Sequence, residues 1–243
     1  MLYLIGIGLG NEKDITIKGL EAVKSCEKVF LETYTSRLAD FDLEKLSEFY
    51  GKEIILADRD FIENKCEDEI LKPAKDSDVA LLIVGSPLSA TTHIDLLLRT
   101  KKMNIDVEII DNAGVFGAIG ITGLSLYKFG RVVTIPQENE NVSSPYKMMI
   151  KNKNIGLHTL VLLDVKNMNN EIELMTAKEG LDYLIKQGLN KEEKVVVCGG
   201  LGGEDAEIRY GKACEVKISK FPQCIILLGE LHFIEEESLE RFK

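Results

Sequence analysis

Val79-Ala80-Leu81-Leu82-Ile83-Val84 runs without a break into Gly85-Ser86-Pro87-Leu88-Ser89-Ala90-Thr91-Thr92-His93. Six apolar residues with no polar alternation do not suit a strand with one wet face. They describe a central strand covered on both sides, as in a parallel sheet. In the segment that follows, Pro87 fixes its own φ and biases Ser86 toward extended backbone. Ser89, Thr91 and Thr92 offer hydroxyls and an N-cap for a helix. A rigid polar loop at a strand's carboxyl end is where open α/β sheets hold ligands. Plain helix capping uses the same residues.

Outward from this strand, short β-branched runs alternate with amphipathic stretches. Leu2–Ile7, Lys28–Glu32, Glu53–Leu56 and Val107–Ile110 are further strand candidates. Thr16–Cys26, Leu43–Tyr50, Phe61–Ala74 and Thr91–Lys101 are expected helices, the first capped by Asp14 or Thr16. Five strands separated by helical crossovers predict a parallel five-stranded sheet. After Asp111 the pattern changes. Gly114–Tyr127 reads as a Gly-broken helix, Arg131–Ile135 as a short strand, and Pro136–Asn154 as polar and loop-rich. His158–Val165 and Lys194–Cys198 read as strands around the helix Ala177–Gln187. Glu207–Val216 and Gln223–Leu228 are expected to pair as antiparallel neighbours, and Phe233–Arg241 closes as a helix. The expected fold is thus α/β with two lobes, residues 1–111 and 112–243, the second built on a mixed sheet.

The first strand ends in Gly6-Ile7-Gly8-Leu9-Gly10. Glycines here allow a sharp turn and a close backbone approach to a ligand. A dinucleotide fold is one reading, because Glu32 sits about 20 residues on, where a ribose-binding acid belongs. The spacing G-x-G-x-G lacks the third glycine of that fingerprint, however. Asn11-Glu12-Lys13-Asp14 also places two acids where a pyrophosphate needs positive potential. A ligand without phosphates suits the turn better.

Composition narrows the classes. The chain has 243 residues, 45% of them hydrophobic, and a formal charge of −10. That balance argues against nucleic acid. Residues 1–111 hold 14 basic and 22 acidic side chains, against 16 and 18 in residues 112–243. The uneven charge fits a solvated acidic surface or a cationic ligand near the first half. No apolar run approaches the roughly 18 residues of a membrane span, and Met1–Gly6 reads as a strand and not as a signal peptide. Cys26, Cys66, Cys198, Cys214 and Cys224 form no C-x-x-C pair. Neither a disulfide framework nor a zinc site is expected, and core packing in a reducing cytoplasm fits.

The glycine turn and the G-S-P-x-x-A-T-T-H loop occur in an order that resembles the tetrapyrrole methylase superfamily, and within it the diphthine synthases. Leu31–Ser36 (LETYTS), Gly123–Gly130 (GLSLYKFG), Gly156–Asp164 (GLHTLVLLD) and Gly229–Glu235 (GELHFIE) extend the resemblance collinearly from Met1 to Phe242. Ser86 departs from the Asp usual in the family's G-D-P loop. A neutral hydroxyl lacks a charge-assisted bond to a cation, a difference of about 1 kcal/mol or more. Cys198–Asp205 (CGGLGGED) also departs from the family's A-R-x-G run.

The resemblance implies a two-lobed fold with S-adenosylmethionine in the cleft between lobes. It carries the cofactor contacts onto Leu9, Ser86, Ser89, Gly114, Val115, Leu163, Tyr210 and His232, many of them through backbone groups. The implied reaction methylates, stepwise, the amine of an aminocarboxypropyl group on a modified histidine of elongation factor 2. Partners are that factor and, as is common in the family, a second copy in a homodimer. No metal and no catalytic triad are implied. Water is the default proton acceptor, with His93 and Asp164 as side-chain candidates whose bland roles are a helix surface and a strand-end hydrogen bond. Two alternatives are a tetrapyrrole C-methyltransferase of the same fold and a catalytically silent module that binds elongation factor 2, the latter motivated by Ser86. A nicotinamide-dependent oxidoreductase is a third.

Overall fold

The computed structural model describes residues 1–168 and 171–243. The chain forms two compact units: Met1–Val115 with Gly202–Glu204, and Phe116–Leu201 with Asp205–Lys243.

The first unit is built on β1 (Leu2–Gly6), α1 (Ile17–Ser25), β2 (Lys28–Glu32), α2 (Leu43–Tyr50), β3 (Ile54–Ala57), β4 (Val79–Ile83), α3 (Ile94–Met103) and β5 (Val107–Ile110). Its sheet has the order β3-β2-β4-β1-β5, parallel at every pairing. All five residues of β4 are buried. Val79, Leu81 and Ile83 pack on one face with Leu96 of α3. Ala80 and Leu82 pack on the other with Val23 of α1 and Leu46 and Tyr50 of α2. The strand's unbroken apolar run is therefore spent on two helical layers.

Thr16, not Asp14, caps α1: its hydroxyl accepts from Gly19 N at 3.0 Å. The expected helix Phe61–Ala74 is helical but wide, with π turns over Phe61–Lys65 and Glu67–Leu71 and a 3-10 turn over Pro73–Lys75. Ile62, Cys66, Ile70 and Ala74 recur every fourth position among its buried residues, with Leu71 beside them. On a 3.6-residue helix such a repeat drifts off the core face; wider turns keep it there. The expected helix from Thr91 begins only at Ile94, because Thr91 and Thr92 spend their hydroxyls elsewhere.

The second unit continues from α4 (Val115–Ala118) through β6 (Val133–Ile135), α5 (Ser144–Asn154), β7 (Thr159–Leu163), the ribbon of β8 (Val165–Met168) and β9 (Glu171–Leu174), α6 (Ala177–Gln187), β10 (Lys194–Gly199), β11 (Glu207–Lys212), β12 (Gln223–Leu227) and α7 (Phe233–Leu239). Its sheet order is β11-β10-β12-β7-β6 and mixed, with only β6 and β7 parallel. β11 and β12 are not neighbours, as the sequence suggested. Both flank β10, whose Val195–Cys198 is buried and needs partners on both edges.

Pro136–Asn154 also departs from expectation, since α5 occupies its last eleven residues. Pro145, Met149 and Asn152 face inward at helical spacing. Asn152 is buried, yet satisfied by Arg131 O at 2.8 Å, Thr159 Oγ1 at 2.9 Å and Arg131 N at 3.2 Å. Polarity therefore hid a helix whose inward polar residue serves neighbouring backbone. Four cysteines are buried and Cys214 is exposed; all five are free. Among the described residues no helix is long and apolar enough to cross a membrane.

Candidate functional site

β4, β1 and β5 lie side by side, so the loops leaving their carboxyl ends meet. Gly8 bridges Gly85, whose N–H donates to Gly8 O at 2.8 Å. Both glycines have φ of +78°, a region closed to most side chains. A Cβ on Gly85 would lie 3.5 Å from Gly114 Cα and 3.7 Å from Leu9 Cδ2. Leu9, Ser86, Ser89 and Gly114 are thus gathered at one place on the first unit's carboxyl edge, with Val115 the next residue in the chain.

The polar groups there form a directed chain. Ser89 Oγ donates to Ser86 Oγ at 3.0 Å, and Ser86 Oγ donates to Asp111 Oδ1 at 2.7 Å. Asp111 is exposed, immediately past β5. The sequence had offered it only as a boundary. The sequence carried one signal for it, a carboxylate one residue past a strand candidate, but nothing there set that strand beside the glycine turn. Asn112 holds the arrangement by donating to Gly6 O and Asp14 O, each at 2.9 Å.

The glycine turn is itself occupied. Asp14 Oδ2 accepts from Gly10 N at 2.7 Å, so a carboxylate stands where a phosphate would be cradled. Ala39 N donates to Leu9 O at 2.8 Å and Asp40 N to Gly10 O at 2.9 Å, strapping the segment after β2 across the turn. Gly202 packs on the other side; a Cβ on it would reach Leu9 Cβ at 2.7 Å. The Cys198–Asp205 stretch that departs from the family pattern therefore contributes Gly202 and, through Glu204 N to Asp40 Oδ2 at 3.1 Å, Glu204 to this unit.

His93 is not on a helix surface. It is 1% exposed, with Nδ1 at 3.1 Å from Pro87 O, so that nitrogen carries the proton. Nε2 has no hydrogen-bond partner and lies 3.9 Å from Glu32 Oε2. Burial holds the ring's pKa below its ordinary value, against the pull of the Pro87 carbonyl. Glu32 is buried too, and its carboxylate accepts from the N–H groups of Tyr34 and Thr35 and from the Thr35 hydroxyl. Burial raises its pKa despite those bonds. Tyr34 Oη lies 3.4 Å from Thr92 Oγ1, and Thr91 Oγ1 donates to Pro87 O at 2.9 Å. The LETYTS and ATTH stretches thus meet in one buried cluster beneath the loop.

In the second unit the candidate residues do not converge. Leu163 ends β7, while Tyr210 sits on β11 three strands away, in line with Leu160 through Val196 and Ile226. At about 4.8 Å per strand that separation is roughly 14 Å. β12 runs antiparallel to β7, with Leu227 opposite Thr159, so His232 lies toward the sheet edge opposite Leu163. His232 is exposed and caps α7, its Nδ1 accepting from Ile234 N at 3.4 Å. Asp164 accepts from Val165 N at 2.9 Å and from Gln137 N at 3.2 Å, a strand-end role.

Glu235 is the polar centre of this unit. Buried at 1% exposure, it accepts from Ser125 N at 2.9 Å, His232 N at 2.8 Å, Lys128 Nζ at 2.6 Å and His158 Nε2 at 3.3 Å. Burial alone would push its carboxyl up, but these donors together hold it at about 2. His158 Nδ1 accepts from Gly229 N at 2.9 Å, which requires a neutral ring protonated on Nε2. The GLSLYKFG, GLHTL and GELHF stretches thus converge on one carboxylate. Among the described residues no cluster of His, Cys, Asp and Glu could hold a metal ion.

The sequence model of the Tetrapyrrole (Corrin/Porphyrin) Methylases matches residues 1–217. A diphthine synthase from Methanococcus aeolicus is 40% identical, covering 99% of this chain and 97% of that protein. A diphthine methyl ester synthase from Dictyostelium discoideum is 39% identical over 100% of this chain and 98% of its own. A crystal structure of diphthine synthase matches with a TM-score of 0.90 at 30% identity, over 99% of this chain and 95% of that one.

Proposed function

Since this chain belongs to the tetrapyrrole (corrin/porphyrin) methylase family and is a methyltransferase, we propose that it transfers methyl groups from S-adenosylmethionine to the amine of a modified histidine on elongation factor 2, in diphthamide biosynthesis. Full-length likeness to diphthine synthases at about 40% identity supports this. The observation that carries it physically is the Ser89–Ser86–Asp111 chain beside the Gly8–Gly85 bridge. It offers a cationic, phosphate-free ligand one carboxylate and a backbone surface without Cβ atoms.

S-adenosylmethionine, when bound, supplies an electrophilic methyl on a sulfonium. Leu9, Gly85 and Gly114 would hold it by backbone and apolar contact, with Ser86, Ser89 and Asp111 facing its positive charge and Val115 alongside. Asp14, which already occupies the Gly10 N–H, leaves the turn unsuited to a pyrophosphate. The same fact disfavours a nicotinamide cofactor. Aligning two reactants contributes roughly 7–11 kcal/mol to such a transfer, so positioning dominates and little acid–base work is required. The proton shed by the amine passes to water. The His93 ring is buried with Nδ1 on Pro87, and Asp164 already accepts two backbone N–H groups.

The silent-module reading rested on Ser86. An aspartate within 2.7 Å of its hydroxyl restores the charge that Ser86 lacks, which supports turnover. Asp111→Ala is accordingly expected to weaken cofactor binding by about 10- to 100-fold, the worth of one charge-assisted hydrogen bond. Ser86→Ala should weaken it only severalfold. Ser86→Asp should bring no gain, since two carboxylates at that spacing repel. Calorimetric titration measures all three, and wild-type affinity in Asp111→Ala would move the cofactor elsewhere. The functional test itself incubates labelled cofactor with elongation factor 2 bearing the unmethylated intermediate. Label on the factor is expected; none transferred would end this reading.

A further inference from the structure

Three arginines lie in the first unit, an acidic body, and among the described residues only Arg99 has a carboxylate partner, Asp95. Arg37 and Arg59 have none among the described residues, and both leave the carboxyl edge of the sheet. Glu32 of β2 pairs with Ala57 of β3, so the loops carrying Arg37 and Arg59 start side by side.

Arg59 is exposed, its Cζ 5.4 Å from the centroid of the Tyr34 ring. Three of the acids around it are engaged elsewhere. Asp58 accepts from Phe61 N at 2.7 Å, Asp60 from Asn64 Nδ2 at 2.7 Å, and Glu32 is sealed beneath by Tyr34 and Thr35. Arg37 is half-buried, and its Nε is shielded from solvent with no acceptor. Such a sealed donor is unfavourable by about 1–3 kcal/mol unless something accepts from it. Two residues further on, Ala39 N is bonded to Leu9 O, which ties the Arg37 segment to the glycine turn. Tyr34 in turn reaches Thr92 at the end of the Ser86 loop.

Resting on the functional reading above, we propose that Arg37, flanked by Arg59, binds the carboxylate of the acceptor's aminocarboxypropyl group. The acceptor presents an amine and a carboxylate on one carbon. A planar guanidinium holds a carboxylate in a fixed orientation, which aims the adjacent amine. Asp111, by contrast, leaves β5 on the other side of the sheet from β2 and β3. Opposite charges on the two reactants thus find opposite partners along one edge.

The test is steady-state kinetics of label transfer to elongation factor 2 carrying the unmethylated intermediate, with cofactor affinity measured separately. Arg37→Ala and Arg59→Ala are each expected to raise the KM for the acceptor about tenfold or more, with the cofactor Kd unchanged. Arg37→Lys should recover part of that loss, because it keeps the charge and loses the fork. Arg99→Ala, on a paired surface arginine, should behave as wild type. Wild-type KM in both alanine variants would overturn the carboxylate site alone, as would an equal effect in Arg99→Ala, which would signal a general charge effect. A wild-type protein that transfers no label would end the functional reading and this site with it.

Discussion

Glu235→Ala is expected to lower the stability of this protein by about 3–5 kcal/mol, the range for removing one member of a buried charged network. The carboxylate gathers Ser125 N, His232 N, Lys128 Nζ and His158 Nε2 from three separate stretches of chain. Alanine would strand Ser125 N, His232 N and His158 Nε2 and leave the Lys128 ammonium with Glu230 O alone. It would also remove the capping box of α7, in which Glu235 reaches back to His232 N. Urea unfolding of Glu235→Ala and Glu235→Gln measures the loss. Glutamine should be the milder change, since its carbonyl still accepts from some of the donors while its amide group opposes Lys128.

The pH dependence follows from the same network. Glu235 has a folded pKa of about 2, below its ordinary 4.5. The unfolded chain therefore takes up the proton first, and stability present above 4.5 is lost as pH falls toward 2. His158 adds a loss at higher pH. Burial holds its pKa below 6.5, although its bond to Glu235 pulls the other way. Again the unfolded state protonates first, so stability falls as pH drops below 6.5. A first decline in unfolding midpoint below that value, smaller in His158→Gln than in the wild type, checks the assignment. His93, also depressed by burial, contributes in the same sense.

The second large effect is expected in the first unit. Gly8→Val should abolish cofactor binding. Gly8 sits at φ +78°, and a Cβ there would lie 2.4 Å from Asp14 Cβ. Asp14 is the residue that holds the Gly10 N–H, so the intrusion would displace the strap of the turn and open the Gly8–Gly85 bridge. Gly51→Ala separates strain from collision. Gly51 has φ +67° with nothing within 4 Å of its Cβ position, so only the left-handed backbone penalty of about 1–2 kcal/mol applies. That variant should bind the cofactor normally. Retention of wild-type affinity by Gly8→Val would place the cofactor away from the turn.

Much of this molecule could be read from residues alone, for identifiable reasons. The strands Lys28–Glu32 and Val107–Ile110 and the helices Leu43–Tyr50 and Ala177–Gln187 coincide with the expected bounds. Each joins a clear period to local stop signals, such as Asp42 and Gly51 around α2. The Phe61–Ala74 segment was legible as helical, but its pitch was not, because pitch answered to a four-residue repeat of buried side chains. α5 was missed because its inward face carries Asn152, whose partners Arg131 and Thr159 lie outside the helix. The β11–β10–β12 order was missed because chain proximity favours neighbours, whereas burial of β10 required two.

Legibility of the candidate site divides in the same way. The glycine turn and the Ser86 loop announce themselves, since φ values near +78° and a proline-fixed loop are local constraints that only certain residues meet. Asp111 does not, because its meaning depends on β5 lying next to β1 and bringing it within 2.7 Å of a serine 25 residues earlier. From sequence, His93 was open to two readings and the surroundings of His232 could not be placed. Only packing could show that one ring is sealed beneath the loop and the other is an exposed helix cap.

By itself the sequence determined the parallel sheet, its apolar central strand, the glycine turn and the proline-fixed Ser86 loop, because backbone freedom, side-chain period and charge are properties of short stretches. Tertiary structure alone decided which carboxylate answers Ser86, which donors meet on Glu235 and which arginines remain without a partner. Those are relations between groups far apart in the chain, and a hydrogen bond or an unpaired charge exists only once packing has set the distance.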